Sequence, residues 1–139
     1  MKPPVYVFDT CALIALINQE NGSDVVSDLL KNAEMNKVSV KIHAVNLCEI
    51  YYDCLRRNGT KIADALLKAV KMMPMELVDN INIKLLKKAG EIKATEKVSL
   101  ADAFAVGLAI VSKARLVTSD HHEIGPLDRK GIVKVLWFR

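Results

Sequence analysis

At 139 residues and 15.4 kDa, with 51% hydrophobic and 26% charged residues, the chain has the size and balance of one globular domain over 1–139, which excludes a disordered tail or a disulfide-dense scaffold. Met1-Lys2-Pro3-Pro4 leads into no apolar stretch long enough for a signal peptide, and no run approaches the ~20 apolar residues of a membrane span, so a cytoplasmic protein with no membrane attachment is expected. The net charge of +4 says little alone, but gathering several carboxylates in one site would leave a basic remainder suited to a polyanion.

VYVFD at positions 5 to 9 reads as a short strand, and the Ala- and Leu-rich CALIALIN after it as a helix. Ser23 is a suitable N-cap for a helix over 23–35 that puts Val25, Val26, Leu29, Leu30 and Ala33 on one face, and Val38 to Ile42 alternates as a second strand. Helices follow over Ala44–Arg57 and Lys61–Met72, divided at Asn58-Gly59 and stopped by Pro74, with a weaker strand over Met75–Val78. Asn80–Lys97 carries Ile81, Leu85, Ala89 and Ile92 on one stripe among lysines, and Ser99 caps another helix reaching about Lys113. Leu116–Ser119 and Ile132–Phe138 close the chain as strands on either side of a polar turn containing Gly125-Pro126. Alternating strands and helices predict a mostly parallel sheet of about five strands with helices on both faces, because parallel strands need a crossover to return.

Ligands of such sheets bind outside the carboxyl ends of the strands. Asp9 ends the first strand and Asp120 follows Leu116–Ser119, while Glu49 and Asp102 lie near the starts of helices that begin at the same edge. Each acid alone has an ordinary explanation: Asp102 could serve the positive end of its helix, and Asp120 could be a turn residue. Asp9 and Glu49 are different, because VYVFDTCALI and AVNLCEIYY are strongly apolar surroundings for a carboxylate. No Lys or Arg adjoins any of the four, so they can stay ionised together only with a cation. Oxygen donors without a thiolate and imidazole set favour Mg²⁺, with Mn²⁺ as a substitute, over Zn²⁺.

These segments resemble the motifs of PIN-domain proteins, in particular the small VapC-type toxin ribonucleases of toxin–antitoxin pairs. VFDTCALIALI is similar to the family's first motif, with Asp9 and the following Thr10; AVNLCEIYY to the second, with Asn46 three residues before Glu49; SLADAFAVGLA to the third, with Asp102; and VTSDHHE to the fourth, with Thr118 two residues before Asp120. The likeness spans essentially the whole chain. It implies a three-layer α/β/α sandwich and a Mg²⁺-dependent endoribonuclease. Asp9, Glu49, Asp102 and Asp120 would be its catalytic and metal-binding acids, with Thr10, Asn46 and Thr118 holding them. It also implies an RNA substrate, a cognate antitoxin and a homodimer. One departure is visible: His121, His122, Glu123 and Ile124 stand where many relatives carry an aromatic, which leaves open whether Glu123 joins the site.

Other chemistries fit less well. His121 and His122 are adjacent and offer neither a base–orienter pair nor an i, i+4 ligand spacing. Cys11, Cys48 and Cys54 form no C-x-x-C pair; Cys48 has no histidine near it in sequence, and packing against the sheet is its expected role. A haloacid-dehalogenase-like phosphatase wants a second Asp two residues after the first, where this chain has Cys11. An RNA-processing nuclease without an antitoxin, or a non-catalytic RNA-binding scaffold, is the alternative, although a scaffold has no reason to keep four repelling charges. Lys84, Lys87, Lys88, Lys93 and Lys97, with Arg56 and Arg57, are a solvated face or an RNA contact; Met72, Met73, Met75 and Trp137 read as core.

Overall fold

A computed structural model describes residues 2–139. Twelve elements follow in chain order: β1 (Val5–Phe8), α1 (Thr10–Ile17), α2 (Ser23–Glu34), β2 (Ser39–His43), α3 (Ala44–Asn58), α4 (Thr60–Lys71), β3 (Glu76–Val78), α5 (Ile83–Thr95), α6 (Leu100–Val111), β4 (Arg115–Thr118), α7 (His121–Arg129) and β5 (Val135–Trp137). The five strands form one sheet in the order β3-β2-β1-β4-β5, and every pairing is parallel. The fold is the α/β arrangement that the alternation predicts and that the PIN-domain resemblance implies, with the sheet wholly parallel instead of mostly so. No helix among the described residues is long and apolar enough to cross a membrane.

The sheet separates two apolar cores. On one face Val7 and Leu116 pack with Val106 and Ala109 of α6, Ile92 of α5, and Ile124 and Leu127 of α7. On the other, Phe8, Ile42 and Val117 meet Leu13 of α1, Val26 of α2, Ile50 of α3 and Val70 of α4. Burial of both faces explains the continuous apolar character of the central strand β1.

Chain reversals at the carboxyl edge are made by side chains. Asp9, His43 and Asp120 each end a strand or its extension, and each caps the helix that follows. His43 Nδ1 accepts the Val45 N–H at 3.0 Å, so its proton sits on Nε2, which donates to the Asn80 carbonyl at 3.0 Å. Its buried ring stacks on Phe104 of α6, 5.1 Å between centroids, linking β2 to α6.

Three local expectations are corrected. The polar turn at Gly125-Pro126 is part of α7: the Asp120 cap and the complete burial of Ile124 and nearly complete burial of Leu127 outweigh the backbone donor that Pro126 lacks. Gly22, not Ser23, caps α2, at a left-handed φ of +84°, where a Cβ would overlap the Phe138 carbonyl oxygen. Asn82, whose Oδ1 accepts the Leu85 N–H at 2.9 Å, starts α5 later than the apolar stripe suggests and leaves Ile81 outside it.

Candidate metal centre

Asp9 takes its place from two local rules at once. It follows β1 with extended backbone, and its Oδ1 caps α1 by accepting the Ala12 N–H at 2.9 Å. The second carboxylate oxygen, Oδ2, is buried without a hydrogen-bond partner. Burial pushes the Asp9 carboxyl up to about 7, and the charge of Asp120 adds to the shift; the Thr118 hydroxyl beside it and the backbone N–H groups of Ala12 and Cys11 only partly oppose it.

Asp102 lies in the first turn of α6, where its N–H donates to the Ser99 cap at 3.1 Å, and its side chain is buried. Burial raises its carboxyl to about 8, helped by the proton it shares with Glu123 and by the charges of Asp9, Glu123 and Asp120. Glu123 moves the other way, below the usual carboxylate range, chiefly because Asp102 donates to it; the Ser99 N–H and the charges of His122 and Lys93 assist, against a cost of burial. Two neighbouring carboxyls driven apart in this way share a proton for want of a positive charge.

Asp120 links β4 to α7. Its N–H donates to Thr118 Oγ1 at 3.0 Å, and its Oδ1 accepts the Glu123 N–H at 3.0 Å. One oxygen each from Asp102, Asp120 and Glu123 lie within 4.8 Å of one another, the one such acidic group among the described residues. Asp9 borders this trio, since its charge raises Asp102 and that of Asp120 raises Asp9. Glu49 stands on the second turn of α3, half-buried, and is not part of the tight trio. The structure therefore brings Asp9, Asp102 and Asp120 into mutual influence, adds Glu123, and leaves Glu49 outside the tight trio.

The three polar residues around the acids are buried. Asn46 Nδ2 donates to Thr10 Oγ1 at 3.3 Å and to the Ala101 carbonyl at 3.2 Å, tying α3 to α1 and α6. Its Oδ1 is a second buried oxygen without a partner. Native interiors rarely leave such atoms unsatisfied. No Lys or Arg makes an ion pair with Asp9, Glu49, Asp102, Asp120 or Glu123 among the described residues. An oxygen-only donor set with partnerless buried oxygens, and with the Asp9 and Asp102 carboxyls raised by burial first and by neighbouring charge second, suits a hard divalent cation such as Mg²⁺ or Mn²⁺.

Glu123 had a readable signal. Asp120-x-x-Glu123 has the spacing of a helix start with an acid at the third position, but the signal is lost once Gly125-Pro126 is read as a turn.

The remaining candidates are placed as follows. The Cys11 thiol is pushed up to about 12 by burial and by the charges of Asp9, Asp120 and Asp102, so it is no thiolate nucleophile. Cys48 is exposed and does not pack against the sheet, because Leu47 and Ile50 take the inward face of α3. Met72 is likewise 87% exposed, while Met73, Met75 and Trp137 are partly buried against the cores. His121 Nε2 contacts the Arg139 carbonyl at 2.8 Å, and its ring lies against Trp137. Several of the basic side chains are engaged within the protein: Lys88 with Glu91, Lys93 with the Val98 carbonyl, and Arg56 and Arg57 with Asp53. A cavity of about 550 Å³ lies at the opposite edge between Val5, Ile110 and Ile132 and has no acidic residue in its wall.

Comparison with known proteins agrees with this fold. The family model described as PIN domain matches residues 6–128. No curated protein matches the chain. Among solved structures, VapBC2 from Rickettsia felis, bound to a promoter DNA fragment, is similar over 96% of this chain and 98% of its own, with a TM-score of 0.76 and 19% identity. DNA-bound VapBC from Salmonella typhimurium gives a TM-score of 0.75 at 16% identity over 98% and 99% of the two chains. VapC20 from Mycobacterium tuberculosis, described as a sarcin–ricin loop cleaving toxin, gives 0.66 at 15% identity over 87% and 94%. At such identities the likeness is one of fold.

Proposed function

Because the chain belongs to the PIN-domain family, we propose that it is a divalent-metal-dependent endoribonuclease, the toxin of a toxin–antitoxin pair, with residues 1–139 acting as one nuclease domain. The observation that carries this reading is the buried Asp9 carboxylate, with an oxygen that has no hydrogen-bond partner among the described residues, beside acids with which none of their Lys or Arg side chains makes an ion pair. Asp9, Glu49, Asp102 and Asp120 would hold Mg²⁺ or Mn²⁺, joined by Glu123. A bound cation of this kind supplies charge neutralisation at the phosphate and a water activated at neutral pH.

The protein's own groups do the rest. Asp9 and Asp120 act as helix caps as well as ligands, so their carboxylates are oriented before any ligand arrives. Thr118 and Asn46 restrict the loops and helices on which the acids stand, the part that supporting residues play around a metal. Asp102 and Glu123, sharing a proton in the free protein, release it when a cation takes its place.

Support for an antitoxin partner comes from the similar structures, which include VapBC structures, a toxin–antitoxin complex from Klebsiella pneumoniae and FitAcB from Neisseria gonorrhoeae. A homodimer would have apolar surface available, since Ile83, Leu86 and Leu100 on α5 and α6 are exposed. The cytoplasm is the compartment in which such a protein would meet RNA.

The test is incubation of the purified chain with mixed RNA and with single-stranded DNA, each with Mg²⁺, with Mn²⁺ and with a chelator. Endonucleolytic cleavage of RNA that needs the metal is expected. Cleavage of DNA alone, or of RNA in the chelator, would overturn the proposal.

A further inference from the structure

His121 directly follows Asp120 at the start of α7, and its side chain reaches Trp137 of β5 and the Arg139 carbonyl. The imidazole lies against the indole of Trp137, with 4.0 Å between ring centroids and 13° between planes. Trp137 pairs in register with Thr118, so the stack stands at the same carboxyl edge as the acids, on the β5 side. Both rings are held in place. Trp137 Nε1 donates to Asp128 Oδ2 at 3.0 Å, and His121 Nε2 meets the Arg139 carbonyl at 2.8 Å. His121 is nevertheless exposed. An imidazole spread over an indole, fixed at both ends and open to solvent, has one π-face left to offer.

We propose that the free face of His121 is a stacking platform for one nucleobase of a single-stranded RNA, positioning the strand so that a neighbouring phosphate reaches the acidic site. This rests on the nuclease reading above and goes beyond it by naming a residue that binds the substrate. Stacking suits this place because it accepts any base and needs no hydrogen-bond readout, whereas the adjacent acids repel the backbone that must be brought to them. The Trp137 backing keeps the imidazole from rotating away, so little ordering is needed on binding. His121 is therefore a positioning residue and not an acid or base.

Trp137 is the only tryptophan of the chain, so its fluorescence reports directly on the stack. Binding of a single-stranded RNA of about a dozen nucleotides is measured with a chelator present, for the wild-type protein and for His121→Ala, His121→Asn and His121→Phe. His121→Ala and His121→Asn should bind about tenfold more weakly and lose the change in Trp137 fluorescence that RNA binding gives in the wild type, while His121→Phe keeps the affinity although it loses the contact with the Arg139 carbonyl. An abasic residue at one position of the RNA should cost the wild type as much as His121→Ala does, and cost that variant nothing more. Equal binding by wild type and His121→Ala, or a His121→Phe as weak as His121→Asn, would overturn the platform. Metal-dependent cleavage measured alongside separates the two claims. Wild type that cleaves RNA while the variants bind alike refutes the platform alone; wild type that neither binds nor cleaves RNA refutes the nuclease reading and the platform with it.

Discussion

Asp9→Asn isolates the electrostatic cost of the site. Asn keeps a side-chain oxygen able to accept the Ala12 N–H, so the α1 cap survives while the charge is removed. In the metal-free wild type the Asp9 carboxyl lies at about 7 against an ordinary value of 3.8, so the folded state holds this proton more tightly than the unfolded chain. Folding therefore takes up a proton between about pH 4 and pH 7, and stability falls as pH rises through that window, levelling off above it. At ~1.4 kcal/mol per pH unit, the ionised carboxylate costs on the order of 4 kcal/mol at pH 8. Metal-free Asp9→Asn should escape this loss. Denaturant unfolding with a chelator should find the variant more stable than wild type at pH 8, by up to about 4 kcal/mol, with the gap closing towards pH 4. Saturating Mg²⁺ should reverse the order, because it stabilises only the wild type. Parallel pH profiles for the two proteins, or a variant less stable at pH 8 without metal, would refute the reasoning.

Glu123→Gln removes one charge from the trio while keeping its shape; the Mg²⁺ needed for half-maximal cleavage should rise several-fold, and the acid limb of the pH profile should move down as the Asp102 carboxyl loses the neighbour that helps hold its proton. Asn46→Ala leaves Thr10 Oγ1 and the Ala101 carbonyl without their donor and should lower stability by ~1–3 kcal/mol in thermal unfolding. Gly22→Ala should cost at least ~1 kcal/mol, because alanine is strained at φ +84° and its methyl would meet the Phe138 backbone, with no change in metal affinity.

The parts of the fold legible in the sequence are those where local and tertiary preferences agree. The step from β1 to α1 is legible because an apolar strand closes near Asp9 and an Ala- and Leu-rich helix follows, although the cap that Asp9 makes is not, and Ser99 is legible as the N-cap of α6. α7 is hidden because Gly125-Pro126 is a turn signal in any local reading, which the Asp120 cap and the burial of Ile124 and Leu127 among residues of α5 and α6 override. That one error removed the helix on which Glu123 faces Asp102, and with it the tight acidic trio. Cys48 and Met72 turned out exposed for a simpler reason: an apolar residue type does not say on which side of its helix it stands. The convergence of Asp9, Asp102 and Asp120 could be inferred from strand ends and helix starts, whereas the partnerless oxygens of Asp9 and Asn46 depend on three-dimensional packing.

Mn²⁺ binding to the purified protein, followed by electron paramagnetic resonance or calorimetry at pH 8, tests the central claim most directly. The wild type should bind Mn²⁺ with release of protons, and Asp9→Asn and Asp102→Asn should each lose that binding while remaining folded. Retention of wild-type Mn²⁺ affinity by both variants would contradict the account.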